Sequence, residues 1–392
     1  IPAIDILCSY YDVDGKPLAS APERILRKAH QVLKEKTGLS MEAMGELEYY
    51  IFYTGTDNYP SEAQRGYHES SPFSKWEKLR CEAMEAIAAA GGVIKYCHSE
   101  VGTIKGEEKN MEQHEIEFSP VPLEDAADQL VVAKWMLRML GYKYQVTVSF
   151  APKIIVGHAG SGLHIHSRLL KNGKNMLVQS GKLSNTARKF IAGELRLAPS
   201  LTAFGNTIPL SYLRLVPHQE APTNICWGDR NRSTLVRVPL GWLGVGDMIR
   251  DANPKEPEGA PLASEKQTIE FRSPDGSANV YLLLAGLAVA ARTGMEMENA
   301  VEYANNLYVD VNVFEHKELE EKLPQLPDSC WASAENLEKD RTYYEKDGVF
   351  TPALIDHTIR ALKSYNDKDL SERLYCKDEE IRKLVNEYLH YM

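Results

Sequence analysis

Acidic side chains recur at every second position within short apolar segments of this chain. Between Glu46 and Phe52, Glu46 and Glu48 alternate with Leu47 and Tyr49. A two-residue period is that of a β-strand, on which both carboxylates point to one face about 7 Å apart. A solvated strand face would explain one such pair, because exposed acids are common. The alternative is that two neighbouring anions share a cation.

Further segments favour the cation site. Glu100 and Glu115 each lie among apolar or aromatic neighbours in strand-like stretches, where a carboxylate requires a partner. A glycine-rich loop, Gly157 to Gly162, leads into a strand with His164 and His166 on one face. The histidine pair also suits zinc, and glycine-rich loops are common turns. These segments therefore predict a metal site only when they are taken together.

Arginines are concentrated in a third part of the chain. Arg214 is followed by Arg230, Arg232 and Arg237, with apolar residues between them. Grouped guanidinium groups can bind phosphoryl or carboxylate oxygens through paired hydrogen bonds. A solvated basic stripe would not need the apolar residues, so we favour an anion clamp. Glu270 and Arg272 then alternate on another strand, as a site for both metal and anion requires.

Local patterns predict an α+β fold with an antiparallel sheet. One helix is predicted between Ser20 and Gly38, and another between Ser71-Pro72 and Gly91. Strands are predicted at 46–52, 93–101, 113–119, 145–150 and 163–170, helices at 123–140 and 277–292, and a mostly helical region at 333–392. Asn172-Gly173 predicts a hairpin turn, and the proline-rich stretch 251–263 a mobile loop.

Composition excludes several classes of protein. Forty-five basic and 55 acidic residues give a net charge of -10, which argues against a nucleic-acid partner. The longest apolar run, Val280 to Ala291, is shorter than the roughly 20 residues of a membrane helix, so no membrane partner is expected. Six cysteines without a CxxC pair suit a reducing cytoplasm. No GxxxxGK[ST] motif is present, which excludes a Walker-type nucleotide site.

Seven segments, in this order, resemble the signature of the glutamine synthetase family: ELEYYIF, HSEV, QHEIEF, GSGLHIHS, SYLRLVPHQEAP, RNRSTLVRVP and IEFRSPDGSANVYL. The resemblance extends over roughly Asp5 to Met392. That family joins ammonia to the γ-carboxylate of glutamate, and ATP supplies the phosphate of a γ-glutamyl phosphate intermediate. The resemblance implies a catalytic domain over residues 1–392, with a curved antiparallel sheet lining the active site and helices flanking it.

Matching these motifs residue by residue implies two Mg²⁺ or Mn²⁺ sites. Glu48, Glu100 and Glu115 would bind the first ion, and the second would be bound by Glu46, His164 and Glu270. Carboxylates with one imidazole form a hard ligand set suited to those ions.

The same resemblance implies the substrate contacts, with glutamate, ammonium and ATP as substrates. Arg214, Arg272 and Gly160 would bind the glutamyl substrate, and His166, Arg232 and Arg237 would bind ATP. Arg232 would also stabilise the transferred phosphoryl group. Glu220 would take a proton from ammonium in a pocket that includes Tyr67.

The chain departs from the family pattern at several places. Ala159 replaces an asparagine that helps hold the substrate amino group, and Thr268 replaces an arginine that contacts phosphate. Extra residues, 102–112, are expected to form an exposed hairpin tip. The family's small N-terminal β-grasp domain, which supplies an ammonium-binding aspartate to the neighbouring subunit, would end just before Ile1. We therefore expect either a longer protein or a truncated relative that cannot complete its active site alone. By resemblance, we expect a homo-oligomer with active sites between subunits.

Two other functions stay open at this point. Ala159 would suit a γ-glutamyl ligase that acts on a polyamine or another small amine, although Glu220 and Tyr67 favour ammonia. A relative that only binds or supports other molecules would have little reason to keep all six predicted metal ligands.

Overall fold

The computed structural model describes residues 4–55, 58–106, 109–216, 221–239, 248–257, 266–374 and 377–391. The strands in these ranges are β1 Ser40–Tyr53, β2 Ile94–Ile104, β3 Asn110–Phe118, β4 Val121–Pro122, β5 Thr147–Ser149, β6 Leu163–Lys171, β7 Lys174–Asn175, β8 Val178–Gln179, β9 Lys182–Leu183, β10 Trp227–Asp229, β11 Val236–Val238 and β12 Ile269–Phe271. The α-helices are α1 Pro22–Thr37, α2 Glu77–Ala89, α3 Leu123–Lys143, α4 Asn185–Gly205, α5 Ser211–Arg214, α6 Met248–Ala252, α7 Val280–Glu296, α8 Ala300–Asn306, α9 Lys317–Lys322, α10 Cys330–Glu345, α11 Pro352–Ser364, α12 Leu370–Leu374 and α13 Asp378–Tyr388. Short 3₁₀ turns occur at Val313–Glu315 and Lys346–Gly348.

The large sheet is antiparallel in nearly all of its described pairings. Its order is β10-β11-β12-β6-β1-β3-β2, with β4 and β5 beside β1 and β7 beside β6. Only β10 and β11 run parallel among the strand pairs that the structure describes. A two-stranded ribbon, β8 and β9, is separate from this sheet. The predicted α+β fold with an antiparallel sheet is confirmed.

The long strand β1 lies near the middle of the sheet and separates the core from the site. Leu47, Tyr49 and Ile51 are buried in the main apolar cluster on one face. Glu46 and Glu48 project to the opposite face, as their alternation predicts. The sequence period therefore decides which face of the sheet is apolar and which face carries the acids.

Helices cover the apolar face of the sheet. Helix α1 ends at Gly38, whose φ of 72° is left-handed, as predicted for a glycine cap. Helix α7 is buried along most of its length and packs against α4. A Cβ atom added at Gly193 would lie 1.9 Å from the Ala290 carbonyl oxygen, so the close contact of these helices requires glycine there.

No single helix in the described ranges is long and apolar enough to cross a membrane, and α7 and α8, which bend by 110° at a short break, pass such a test only as a pair.

The second predicted helix begins later than expected. Helix α2 starts at Glu77, although Ser71-Pro72 resembles a helix start. The intervening segment is held by Glu112, because Ser74 Oγ donates to Glu112 Oε1 at 2.6 Å and Lys75 N donates to Oε2 at 2.9 Å. In this segment, hydrogen bonds to Glu112 take the place of the backbone hydrogen bonds of the predicted helix.

The exposed hairpin tip expected at residues 102–112 is also shorter than predicted. Strands β2 and β3 extend into these residues and pair Thr103 with Glu112 and Ile104 with Met111. Thr103, Ile104 and Glu112 are buried. The prediction was wrong because Lys and Glu were assumed to be exposed, whereas Glu112 is bound by the segment before α2.

Other predicted elements agree with the structure, with shifts at their ends. The predicted hairpin turn joins β6 to β7, and Asn172 and Gly173 both have positive φ. Helix α4 was not predicted at all, although Ser184 caps it by accepting from Ala187 N. The predicted loop 251–263 lies partly outside the described residues, and its first residues belong to α6.

Candidate active site

A cavity of about 1050 Å³ lies on the acidic face of the sheet. The described site residues that the family resemblance implies all line it, namely Glu46, Glu48, Tyr67, Glu100, Glu115, Gly160, His164, His166, Arg214, Arg232, Arg237, Glu270 and Arg272. Arg230, which the predicted anion clamp included, is exposed and does not line the cavity. Glu220, the predicted base, lies outside the described residues. Residues that are up to 226 positions apart in sequence therefore share one cavity.

Strand register places these side chains in contact. Glu46 on β1 lies opposite His164 on β6 and opposite Glu117 on β3. Glu48 lies opposite Glu115, which in turn faces His98 on β2. Because directly paired residues project to the same face, the sheet gathers acids from several strands without help from loops.

One group of ligands lies on the hairpin of β2 and β3. His98 Nε2 is 3.6 Å from Glu115 Oε1, and His98 Nδ1 is 3.9 Å from Glu100 Oε1. One donor atom from each of these three residues lies within 4.8 Å of the others. Burial, and then the charges of Glu46, Glu48 and Glu100, raise the pKa of Glu115 well above its ordinary value. Neighbouring anions without enough positive charge form a site that a cation would stabilise.

The second group includes both histidines of β6. Glu46 contacts His164 Nδ1 at 3.1 Å through one oxygen and His166 Nε2 at 2.8 Å through the other. Burial alone would raise the pKa of Glu46, but the two histidines outweigh burial and hold it well below its ordinary value. Donor atoms of Glu46, His166 and Glu270 lie within 4.8 Å of one another.

Two arginines neutralise Glu270. Arg237 donates to Glu270 Oε2 at 2.8 Å, and Arg272 donates to Oε1 at 3.0 Å. Burial and the charge of Glu46 act to raise the pKa of Glu270, but His166, Arg272 and Arg237 overcome them and lower it. Glu270 is therefore held as a carboxylate before any cation binds.

The other cationic residues lie beside the second group. Arg214 donates to the Ser273 carbonyl at 2.8 Å, and its guanidinium is 3.5 Å from His164 Nε2. Arg272 also donates to the Arg232 carbonyl. The Arg232 guanidinium lies over the Tyr67 ring, 6.0 Å from its centroid. The predicted clamp and the predicted ammonium-pocket tyrosine are thus neighbours.

The glycine-rich loop contributes backbone groups to the site. Gly162 N donates to Glu48 Oε2 at 2.8 Å, and Gln113 Nε2 bridges Glu48 and the Gly160 carbonyl at 3.2 and 2.9 Å. A Cβ atom at Gly160 would lie 2.6 Å from the Pro152 carbonyl oxygen, so only glycine fits. These contacts fix one carboxylate oxygen of Glu48. They also hold Gly160 of the loop at the wall of the cavity.

The two substituted positions also lie in the cavity. The backbone of Ala159 is bound by protein, since its N donates to Gln64 Oε1 at 2.7 Å and its carbonyl accepts from Tyr50 at 2.8 Å. Ala159 thus lines the cavity without a polar side-chain group. Thr268 Oγ1 is hydrogen-bonded to His166 Nδ1 at 3.0 Å. Thr268 orients the imidazole, a contact the sequence did not predict.

His98 and Glu117 are two cavity residues that the sequence reasoning missed. His98 is two positions before Glu100, and Glu117 is two positions after Glu115, so both lie on the acidic face. Glu117 is bound by Lys95 at 2.7 Å. The same two-residue period that identified Glu46 and Glu48 would have found both residues.

The donor set fits a divalent cation that prefers oxygen. Carboxylates predominate in each group, with imidazole as the only other ligand type among the described residues. Burial, followed by the charges of Glu46, Glu48 and Glu100, raises the pKa of Glu115, and a bound cation would offset both effects. Mg²⁺ or Mn²⁺ would suit such a set, because both prefer oxygen ligands to thiolates.

Comparisons with known proteins agree with this arrangement. The family model "Glutamine synthetase, catalytic domain" matches residues 19–380. A glutamine synthetase of Pyrococcus furiosus is 33% identical over 93% of this chain and 76% of its own length. One from Thermus thermophilus is 31% identical over 86% of this chain and 70% of its own length.

Among solved structures, a glutamine synthetase of Plasmodium falciparum determined by cryo-electron microscopy has a TM-score of 0.72 at 20% identity, covering 94% of this chain and 81% of its own. A crystal structure described as a novel glutamine synthase homolog has a TM-score of 0.71 at 21% identity, covering 97% and 78%. These two structures show the same fold. The family match over residues 19–380 and the relatives that are more than 30% identical establish that this chain belongs to the glutamine synthetase family.

Proposed function

We propose that the protein is a glutamate–ammonia ligase, which uses ATP to convert glutamate and ammonium into glutamine. The observation that carries the proposal is one cavity with two distinct halves. One half has clustered acids that require cations, and the other has arginines suited to phosphate and carboxylate. A ligase that activates a carboxylate by phosphorylation needs both halves side by side.

Metal ions would bind at the two groups of acids. Glu48, Glu100 and Glu115 would hold one ion, with His98 adjacent. A second set would consist of Glu46, His164 and Glu270, with His166 adjacent. Bound Mg²⁺ or Mn²⁺ would offset the negative charge of these carboxylates and of the triphosphate.

Arginines would position the two anionic substrates for the first step. Arg214 and Arg272, beside His164, would bind the carboxylate of glutamate. His166, Arg232 and Arg237 would contact the phosphates. An oxygen of the γ-carboxylate would then attack the γ-phosphorus, and the bond from that phosphorus to ADP would break. Arg232 would stabilise the charge of the transferred group.

The second step would consume ammonium. Glu220, in the role that the family resemblance gives it, would take a proton from ammonium beside Tyr67. The resulting ammonia would attack the acyl carbon, the bond from carbon to the phosphate oxygen would break, and phosphate would leave with the second proton that the nitrogen must lose. Tyr67 is 44% exposed and packs edge-to-face against His98 and His68, so the rings of Tyr67 and His98 line this part of the cavity.

Measuring ADP and phosphate release with glutamate and different amines tests the proposal. We expect stimulation by ammonium together with stoichiometric formation of glutamine. Stimulation only by ethylamine or putrescine would overturn it. Without any ADP release, and with no manganese binding in calorimetry, the protein would be a non-catalytic relative.

A γ-glutamyl ligase for a larger amine is the second candidate. Ala159 favours it, because a methyl group lies where the family has an amide. The same amine panel separates the two functions. Homo-oligomerisation, a cytoplasmic location and a catalytic domain over residues 1–392 remain predictions, and light scattering tests the first.

A further inference from the structure

Side chains on the site face of β1 and β6 form three successive rows. The pairs across these strands are Glu46 with His164, Met44 with His166, and Glu42 with Arg168. Residues two apart on a strand are separated by about 6.6 Å along it. Arg168 therefore lies about that far beyond His166, on the side away from His164.

Arg168 is fixed in place at the cavity wall. Its side chain lines the cavity and is 23% exposed. Both Nε and Nη2 contact Glu42 Oε2, at 2.8 and 2.6 Å. An ion pair at this partly buried position orients the planar guanidinium group, and an oriented guanidinium loses less conformational freedom when it binds an anion.

Thr268 is the cross-strand neighbour of Arg168. Ile269 pairs with Ser167 at the end of β12, so the next residues along each strand, Thr268 and Arg168, are adjacent. The resemblance to the family implies an arginine at position 268. This chain has a threonine there and an arginine one strand away, so a positive charge is kept in the same row of the sheet.

The direction of the bound nucleotide follows from the chemistry, and this step rests on the proposed function. Arg214 and Arg272 place glutamate on the His164 side, since Arg214 is 3.5 Å from His164. The γ-phosphate must meet the γ-carboxylate there. The remainder of ATP must then extend past His166 toward Arg168.

We propose that Arg168 is a nucleotide-binding residue that contacts the α-phosphate of ATP and replaces the cation missing at position 268. The substitution Arg168→Thr tests it by calorimetry with a non-hydrolysable ATP analogue and Mn²⁺. We expect affinity for this analogue and for ADP to fall about tenfold, with adenosine affinity and the KM for glutamate unchanged.

The cross-strand exchange provides the decisive variant. Thr268→Arg added to Arg168→Thr should restore most of the lost affinity, because it returns a guanidinium to the same row. Glu42→Gln is the matched control: it breaks the ion pair but keeps Arg168, so affinity should fall by less than about threefold. Circular dichroism would establish whether each variant is folded. If the double variant does not fold, the affinities of the two single variants test the role of Arg168.

Three results would overturn the assignment. Unchanged analogue affinity in Arg168→Thr would remove Arg168 from the nucleotide site, and an equal loss for adenosine would mean a contact with the base. An equal loss in Glu42→Gln would mean that the ion pair acts only structurally. If the unsubstituted protein itself fails to bind the analogue, the proposed function fails first, which distinguishes the two failures.

Discussion

Glu115 and Glu270 are both buried carboxylates of one cavity, but their surroundings have opposite effects. Glu115 lies among Glu46, Glu48 and Glu100, and its pKa is raised. Glu270 lies between Arg237 and Arg272, and its pKa is lowered. Burial acts in the same direction on both, so neighbouring charges decide the difference.

This contrast divides the site by strand. In the half on β2 and β3, Glu100, Glu115 and Glu117 lie close together, and we propose that a metal ion completes it. In the half on β11 and β12, Glu270 is paired with Arg237 and Arg272, and we propose that this half binds the anionic substrates. One sheet thus carries clustered acids on β2 and β3 and arginines on β11 and at the end of β12, a few strands apart.

The largest expected effect is on catalysis. Glu115→Gln should lower kcat at least about a hundredfold, because an amide cannot replace a charged metal ligand. Calorimetry with Mn²⁺ should show one fewer ion bound. Glu117→Gln, two residues along the same strand, is the matched control and should cost less than about tenfold. Equal losses in the two variants would contradict the assignment of Glu115, and not Glu117, as a metal ligand.

The next prediction concerns stability without metal. Glu270→Gln should destabilise the protein by about 3 kcal/mol, because it leaves two arginines without their carboxylate. Glu115→Gln should instead stabilise it by about 1 kcal/mol, because it removes repulsion among acids. Denaturant unfolding in EDTA at pH 8 measures both values. A loss of stability in both variants would show that the two halves are not electrostatically different.

Glu194 in α4 shows the effect of burial on a carboxyl pKa without the effect of charged neighbours. It is fully buried, neither of its carboxylate oxygens has a hydrogen-bond partner among the described residues, and burial alone raises its pKa. A raised pKa in the folded state means that stability falls as pH rises from the unfolded pKa, about 4.3, until the pH passes the higher folded pKa. Glu194→Gln should therefore stabilise the protein by about 1–3 kcal/mol at pH 8 and by less at pH 5.

Unfolding at the two pH values tests this prediction, and Glu302→Gln in the exposed part of α8 is a suitable control. An equal gain at both pH values would mean that the effect does not come from ionisation.

The smallest expected effect concerns Lys95. Its ammonium contacts Glu117 at 2.7 Å but is half exposed, so solvent screens its charge. Lys95→Met should strengthen Mn²⁺ binding about two- to threefold, because a competing cation is removed from the acidic half. Calorimetry at low and high salt measures the change, which should shrink as salt is added. Weaker binding would mean that Lys95 orients Glu117 for the metal.

Much of the site follows from local sequence, because a strand places every second residue on one face. That rule identified Glu46, Glu48, His164 and His166, and the family resemblance connected them to Glu270. It would also have found His98 and Glu117. The described site residues predicted in this way all line one cavity.

Errors arose where distant residues decide local structure. Helix α2 starts at Glu77 because Glu112, 35 residues later, binds the preceding segment. Strands β2 and β3 extend into the residues expected to form the hairpin tip for the same reason. Capping signals and charge cannot reveal such contacts, because they describe only near neighbours in the chain.

The sequence by itself determined the α+β class, the acidic face of the sheet and the ligand types. Tertiary structure decided which acids neighbour one another, that Glu115 faces acids while Glu270 faces arginines, and that Arg168 stands beside Thr268. The physical reason is register. Alternation fixes the face on which a side chain lies, but only strand pairing fixes the charges it meets across the sheet.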